Sequence, residues 1–121
     1  MSADPYSVVV RELFAATPHA GDLIRAESVF TADQEVRIRL SATAEDGVVT
    51  AVRFRAWGCP HLIAAAEAAC AALEGQPTTV LADWTAADLM QNLPVPVEKT
   101  GRILVLEDTV RSLGQRFRDR T

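Results

Sequence analysis

The chain changes from a strand pattern to a helix pattern between Trp57 and Pro60, and this change constrains the fold more than any other feature. Before it, alternate residues share one predicted strand face: Val48, Thr50, Val52, Phe54 and Ala56. Beyond Pro60 the apolar residues recur at helical spacing as far as Gly75, a residue that commonly ends helices. Proline suits the first helical position, so Cys59 is the predicted N-cap. Residues 48–75 are therefore expected to form a strand, a tight turn and a helix.

Cys59 is consequently expected to face unpaired backbone N–H groups at the positive end of the helix dipole, where the thiolate form is favoured. The alternative is that this thiol only fills space, as many free cysteines do. Cys70 falls on the apolar stripe of the same helix and is expected to lie in the core. The two cysteines would be about 16 Å apart along the helix, well beyond the reach of a disulfide.

The other helices are predicted from apolar spacing and from cap residues. The clearest is the last helix, in which apolar residues three and four positions apart form one core-facing stripe: Ile103, Leu106, Val110, Leu113 and Phe117. Shorter helices are expected in three places: from Asp4-Pro5 to about Ala16, over residues 77–84, and over residues 86–91 with Thr85 as the cap. Residues 94–99 contain two prolines and are predicted to be an extended, exposed connector.

Two further strands are predicted before the change at Trp57. One covers residues 23–30, and the other begins at Val36 with clean alternation of apolar and polar residues. Asp46-Gly47 then predicts a two-residue hairpin turn into the central strand. This order of elements predicts an α+β fold, a three-stranded antiparallel sheet with the helices packed on one face. With 121 residues, 49% of them hydrophobic, the chain is expected to form a single domain over residues 1–121.

A two-residue hairpin turn would place Cys59 opposite Gln34, just beyond the regular strand pairing. Asp33 and Glu35 flank Gln34, so two carboxylates and a thiol are expected to meet at one end of the sheet. Such a mixed set suits zinc or iron, and His61 could add an imidazole. The alternative is that both carboxylates are solvated turn residues and that the histidine is an exposed helix residue.

Charge and motifs exclude several classes of function. The formal net charge of -4 gives no indication of nucleic-acid binding, and the arginines near the C-terminus are typical of a solvated helix end. No apolar run is long enough to span a bilayer, and no secretory leader is recognisable, so a soluble cytoplasmic protein is expected. The sequence carries no nucleophilic triad, glycine-rich phosphate loop or Cys-x-x-Cys pair. We therefore do not expect an enzyme that turns over a substrate.

The stretch VRFRAWGCPHLIAAA resembles the central motif of iron–sulfur cluster assembly scaffolds of the NifU N-terminal or IscU type. In that family a strand leads through an aromatic-Gly-Cys-Gly turn into a helix of small residues. The resemblance extends over nearly the whole chain, and Leu106-Glu107-Asp108 is similar to the opening of the family's last helix. It implies the same fold, which agrees with the layout predicted from periodicity.

The resemblance also assigns the family's ligand positions. The family holds its cluster with three cysteines, assisted by an aspartate and a histidine. The first cysteine position is Asp33 here, the aspartate has become Glu35, the second cysteine is retained as Cys59, and the His-Cys pair falls on Gly101-Arg102. A [2Fe–2S] cluster normally takes four thiolates, so this monomer cannot hold one in the family's manner. We expect instead an ion pair between Asp33 and Arg102, with Glu35 sharing the guanidinium.

Three functions remain open at this stage. The first is a degenerate scaffold that acts as an accessory or adaptor in cluster biogenesis, and binds a cysteine desulfurase or the assembly chaperone. The resemblance implies that the chaperone grips one segment: Pro96, Val97 and Lys99. The second is a persulfide acceptor through Cys59, like SufE-type proteins, which resemble this fold. The third is mononuclear zinc or iron binding by Asp33, Glu35 and Cys59.

Overall fold

Three antiparallel strands form one sheet in the order β1-β2-β3. The computed structural model describes residues 7–33 and 35–120. The strands are β1 (Glu27–Asp33), β2 (Val36–Glu45) and β3 (Val48–Trp57). On β2 the alternation predicted from the sequence is confirmed, because Val36, Ile38 and Leu40 are buried while the arginines between them are exposed.

The helices cover the face of the sheet that carries these buried residues. There are four α-helices among the described residues: α1 (Val8–Ala15), α2 (Pro60–Leu73), α3 (Ala87–Asn92) and α4 (Thr100–Asp119). Two short 3-10 helices span Thr78–Asp83 and Val97–Lys99. Helix α2 packs on β3 and helix α4 on β1 and β2. The predicted α+β fold, with a three-stranded antiparallel sheet and helices on one face, is therefore confirmed.

The two long helices build the core in different ways. Helix α4 buries all five residues of its predicted stripe: Ile103, Leu106, Val110, Leu113 and Phe117. Burying a large apolar side chain of this kind contributes about 1.5–3 kcal/mol to stability. Helix α2 instead buries alanines on several sides, including Ala64 and Ala65 outside the predicted stripe. Small side chains let α2 lie close to both the sheet and α1.

A bulge in the hairpin changes the predicted register. Glu45 pairs with Val48 as expected, but the pairing shifts by one residue between Thr43 and Ala44. Thr50 is the extra residue, so Val48 is exposed and Val49 is buried, and the predicted face of β3 is wrong at its first two positions. A bulge adds one residue to one strand and reverses which side chains face the core beyond it.

The first strand and first helix also differ from the predictions. Strand β1 begins at Glu27, not at residue 23, because the chain turns at Arg25, whose φ of 55° interrupts an extended conformation. Helix α1 begins at Val8, where the Ser7 hydroxyl accepts the Val10 N–H at 3.2 Å and so acts as the N-cap. The predicted cap at Asp4-Pro5 lies outside the described residues.

Two local predictions in the second half are wrong. Helix α3 is not capped by Thr85, because its N-cap is Ala86, whose N–H donates to the Glu107 carboxylate of α4 at 2.9 Å. The connector over residues 94–99 is not extended throughout. After Pro96 the chain turns into the 3-10 helix Val97–Lys99, closed by a 2.9 Å bond from the Lys99 N–H to the Pro96 carbonyl.

Candidate functional site

Cys59 lies at the junction where β3 ends and α2 begins. Its backbone is extended, with φ -79° and ψ 163°, and Pro60 occupies the first helical turn, so the predicted N-cap position is confirmed. The Cys59 carbonyl accepts the N–H groups of Leu62 and Ile63 at 3.0 and 3.2 Å. The side chain is half-buried and carries a free thiol. A partly exposed thiol at a helix N-terminus is the setting in which reactive cysteines are found.

The surroundings of Cys59 lower the pKa of its thiol and so make the thiolate easier to form than in a free cysteine. Burial by itself raises the pKa of Cys59, but three groups oppose it: the Leu62 N–H, the Arg102 guanidinium and the His61 N–H. The net effect is a pKa below the ordinary value of 9.0. Backbone donors and a cation both stabilise the charged form of the group.

Arg102 reaches this thiol from the first turn of α4. Its side chain is 26% exposed, and its guanidinium also lies 3.8 Å from the Glu35 carboxylate, which is 89% exposed. Glu35 occupies the turn between β1 and β2 with φ 63°, a left-handed conformation that this tight turn requires. The guanidinium therefore stands between Cys59 and the β1–β2 turn.

Asp33, at the end of β1, pairs with Val36 across the same turn. The ion pair that the structure gives Arg102 is with Glu35, so the pair between Asp33 and Arg102 stays a prediction. Gln34, expected opposite Cys59, lies outside the described residues. The bulge in the hairpin shifts the β2–β3 register by one residue, and continuing that register would bring Glu35 opposite Cys59.

The described residues do not form a metal centre. Among them, no group of three or more His, Cys, Asp or Glu side chains is placed to hold a metal ion. Asp33, Glu35 and Cys59 are not among such groups, and zinc or iron binding by them stays a prediction. The Arg102 cation, which lies beside the thiol and 3.8 Å from the Glu35 carboxylate, disfavours a positive metal ion there.

His61 is buried, with 3% of its surface exposed, so the alternative of an exposed helix residue is wrong. Burial lowers the pKa of His61 and the Lys99 charge lowers it further, while Glu98 opposes them weakly. Both Lys99 and Glu98 belong to the segment that leads into α4, so this segment contributes to the lowered pKa of the histidine. Cys70 is buried in the core as predicted, and burial raises the pKa of its thiol.

A buried polar cluster around His19 was not predicted from the sequence. His19 donates its backbone N–H to the Glu67 carboxylate at 2.9 Å, and its ring contacts the same carboxylate through Nδ1. The ring Nε2 bonds to Glu74 at 2.8 Å, and Glu74 also accepts the Arg53 guanidinium at 2.9 Å. Sequence reasoning gave His19 no role. The available signal was Glu67, the one charged residue in the apolar sequence of α2.

The titration of this cluster follows from its contacts. Burial lowers the pKa of His19, but hydrogen bonds to Glu74 and Glu67 outweigh it, so the pKa lies above 6.5. Burial raises the pKa of Glu74, but the Val52 N–H, His19 and Arg53 together hold it below 4.5. The cluster ties the connection before β1 to α2 and β3, and we assign it a structural role.

The predicted partner segment lies near Cys59 at the start of α4. Pro96 and Lys99 are partly buried, while Val97 is 88% exposed. The Val97 side chain is therefore open to solvent, and its contact with a partner stays a prediction. Nothing in the described part of the chain resembles a membrane span, since no helix there is both long and apolar enough.

The sheet order, the helices on one face and the Cys59 junction define a small α+β scaffold. The chain belongs to the NifU-like N-terminal domain family, whose model matches residues 6–121. This is the iron–sulfur cluster assembly scaffold family that the sequence resembles. A search of curated proteins gives no match.

Solved structures show the same fold at low identity. A NifU-like N-terminal protein of Brucella abortus superposes with a TM-score of 0.75 at 14% identity, covering 95% of each chain. A structure described as an iron–sulfur cluster assembly scaffold protein for the SUF system, from Fervidobacterium islandicum AW-1, gives a TM-score of 0.67 at 13% identity, covering 87% of this chain and 93% of that one. A hypothetical protein gives 0.58 at 20% identity, covering 88% of each.

Proposed function

We propose that this protein is an accessory component of iron–sulfur cluster assembly that carries sulfur as a persulfide on Cys59 and does not build a cluster. The setting of Cys59 carries the proposal. The thiol is half-buried at a helix N-terminus, beside Arg102, with a lowered pKa. Thiolates of this kind attack sulfur, whereas structural buried cysteines such as Cys70 are inert.

The chemistry needs only the thiolate and a donor persulfide. Cys59 attacks the terminal sulfur of a donor cysteine persulfide, a new S–S bond forms at Cys59, and the donor S–S bond breaks. The donor leaves as a thiolate, so no net oxidation or reduction occurs in the transfer. The Arg102 guanidinium and the N–H groups of α2 then face the persulfide anion that remains on Cys59. A sulfur-carrying cysteine must stay reduced between transfers, which favours the cytoplasm.

The ligand set argues against building a cluster. A [2Fe–2S] centre takes four ligands, normally thiolates, and the chain has only two cysteines, of which Cys70 is buried in the core. The other positions that the family uses for ligands are Asp33, Glu35 and Arg102. Because a guanidinium cannot ligate iron, Arg102 opposes the binding of a cationic cargo at this place.

A second candidate is an adaptor that binds assembly partners without carrying sulfur. The exposed Val97 between Pro96 and Lys99 favours it, because this segment is the one that the family resemblance assigns to the chaperone. The two candidates share partners and differ only at Cys59. They are therefore separated by replacing that thiol.

The test is anaerobic incubation with the cysteine desulfurase of the same genome, cysteine and ferrous iron, followed by re-isolation of the protein. We expect sulfane sulfur in proportion to the protein, released by a thiol reductant, with neither bound iron nor the visible absorbance of a cluster. Cys59→Ser should lose the sulfur and still bind the desulfurase, whereas Cys70→Ser should keep it. If the wild type and Cys59→Ser contained equal amounts of sulfur, the sulfur carrier would be rejected and the adaptor would remain as the candidate. Stoichiometric iron with labile sulfide would contradict both candidates. The oligomeric state is measured alongside, because two chains could each lend Cys59 to a shared cluster.

A further inference from the structure

The outer face of the sheet, opposite the helices, is basic and aromatic at the end next to Cys59. We call this surface the arginine–aromatic face, and its residues are Phe30, Arg37, Arg39, Arg55 and Trp57. All five are exposed, with Phe30 and Trp57 each at 51%. Trp57 is the last residue of β3 and stands two positions before Cys59. The face is therefore continuous with the strand end that presents the thiol.

The strand pairing concentrates positive charge on this face. Arg39 lies directly opposite Arg55, and Arg37 lies opposite Trp57. Like charges directly opposite each other destabilise a sheet, so the arrangement does not serve folding. Two contacts reduce the repulsion: the Arg39 guanidinium lies 5.7 Å from the centroid of the Phe30 ring, and Arg55 pairs with Asp22. The side chains of Arg37 and Arg39 remain exposed and available to a partner of opposite charge.

The middle of the same face is covered by the protein itself. The connection before β1 crosses it, where the Leu23 N–H donates to the Ser41 hydroxyl at 3.0 Å. Ser41 is consequently only 2% exposed although it belongs to the outer side of β2. The Gly21 N–H further bonds the Phe54 carbonyl at 2.8 Å along the edge of β3. The open part of the face next to Cys59 therefore ends at Ser41, and it is separate from the hairpin end, where Thr43 and Thr50 form an exposed pair.

We infer that the arginine–aromatic face is the docking surface for an acidic face of the protein that delivers sulfur to Cys59. The inference rests on the proposed function, since the delivering protein is defined by that transfer. Tryptophan and arginine are enriched in protein interfaces, and a positive patch orients a negative partner. A partner docked there would have its sulfur-bearing residue beside the end of β3.

Other occupants fit less well. A second copy of the chain related by two-fold symmetry would bring arginines against arginines, which is repulsive. A nucleic acid or an anionic membrane would meet a protein whose formal net charge is -4, so long-range repulsion opposes any gain at this small patch. An acidic patch on a partner protein avoids the arginine–arginine repulsion, and a patch no larger than the face meets its local positive charge and little of the negative surface elsewhere on the chain. The arginine–aromatic face is therefore expected to select its partner by local charge complementarity.

The test measures binding of the cysteine desulfurase of the same genome to the double variant Arg37→Glu/Arg39→Glu. The matched control is Arg116→Glu/Arg118→Glu, which makes the same change of charge at the far end of α4; its stability is measured alongside, because Arg116 pairs with Glu27 and donates to the Ser28 carbonyl. We expect the face variant to bind about tenfold more weakly at low salt, with the loss shrinking as salt is added, and the control to bind as the wild type. Arg37→Gln/Arg39→Gln should lose an intermediate amount of affinity. This neutral variant keeps the test valid if the charge-reversed variant fails to fold.

A second readout separates this inference from the function beneath it. Inorganic polysulfide, which needs no docking, should add sulfur to Cys59 equally in the wild type and in the face variant. Unchanged desulfurase binding in the face variant would overturn the docking inference and leave the sulfur function standing. If polysulfide and desulfurase both fail to add sulfur to wild-type Cys59, the sulfur function falls instead. Tighter binding of DNA or phosphatidylglycerol vesicles than of the desulfurase, lost in the face variant, would also overturn the inference.

Discussion

The Arg102 guanidinium stands beside the Cys59 thiol, although Cys59 is the N-cap of α2 and Arg102 lies in the first turn of α4. In the scaffold family that the chain resembles, both positions are cysteines that share a metal. Here one thiol is kept and the other position carries a fixed cation. A cation next to a thiol favours the nucleophilic thiolate and repels a positive metal ion. The arginine therefore changes the chemistry of the site around Cys59 while the fold stays the same.

Arg102→Gln should raise the pKa of Cys59, because it removes a cation and a hydrogen-bond donor from the thiolate. The rate of Cys59 alkylation by iodoacetamide, measured against pH, should shift its midpoint upward. Arg118→Gln, on the exposed face of the same helix, serves as the control and should leave the midpoint in place. An unchanged midpoint in Arg102→Gln would show that the helix N-terminus alone activates the thiol.

The same Arg102→Gln variant should lose little stability, within about 1 kcal/mol, because the Glu35 carboxylate is 89% exposed and 3.8 Å away. Urea unfolding of the variant and of the wild type measures the difference. A loss of about 3 kcal/mol or more would indicate a buried pair, as expected if Asp33 also binds the guanidinium. That result would support the predicted pair between Asp33 and Arg102.

The His19 cluster should make stability depend on pH in a defined direction. The pKa of His19 is raised above 6.5 by folding, so its contribution is complete below that value and is lost as pH rises through the folded pKa. The pKa of Glu74 is lowered from 4.5, so its contribution is present above 4.5 and is lost as pH falls. The cluster therefore stabilises the protein most between these two values.

Urea unfolding at about pH 5.5 and about pH 8.5 tests this dependence. The His19 contribution to the free energy of unfolding should be larger at the lower pH, whereas His61 and Cys59, whose pKa values are lowered by folding, favour the higher pH, so the variant is compared with the wild type at each pH. His19→Gln should lose about 1.5–3 kcal/mol at the lower pH, since it removes hydrogen bonds to charged groups, and should lose less at the higher pH. If the free energy of unfolding depended on pH equally in the variant and the wild type, that dependence would come from groups other than His19.

Gly114→Ala should destabilise the fold although alanine favours helices. A Cβ at Gly114 would lie 2.4 Å from the Ala82 backbone nitrogen and 2.7 Å from the Leu81 carbonyl carbon. Overpacking against backbone costs about 1–3 kcal/mol or more, which exceeds the gain in helix propensity of about 1 kcal/mol. Ser112→Ala, exposed on the same helix, is the control and should change stability by less than about 0.5 kcal/mol. If Gly114→Ala were more stable than the wild type, the 3-10 helix Thr78–Asp83 would have to move away from α4 at little cost.

Val97→Asp should weaken binding of the assembly chaperone without affecting stability. Val97 and Ile24 are both 88% exposed, so Ile24→Asp is a matched control at a distant site. Binding is measured by titration of the chaperone of the same genome, and stability by thermal unfolding. If both variants bound the chaperone with equal affinity, the segment from Pro96 to Lys99 would not be part of the chaperone-binding surface.

Local patterns were sufficient to predict the junction at Cys59 and the stripe of α4, because each depends on residues close in sequence. The bulge at Thr50 was not predictable, since both registers of the hairpin bury valines and only packing decides between Val48 and Val49. The contacts of His19 with Glu67 and Glu74 join residues far apart in sequence, so no periodicity indicates them. The predicted carboxylates were placed at the right end of the sheet, but the effect of Arg102 on them required the structure.

The most direct measurement of the central claim is peptide mapping by mass spectrometry after anaerobic incubation with the desulfurase and cysteine. The thiols are blocked by alkylation before digestion, so that a persulfide keeps its additional sulfur. We predict that the peptide containing Cys59 gains the mass of one sulfur atom and that the peptide containing Cys70 does not. Sulfur on Cys70 alone, or on neither cysteine while the desulfurase is bound, would contradict the account.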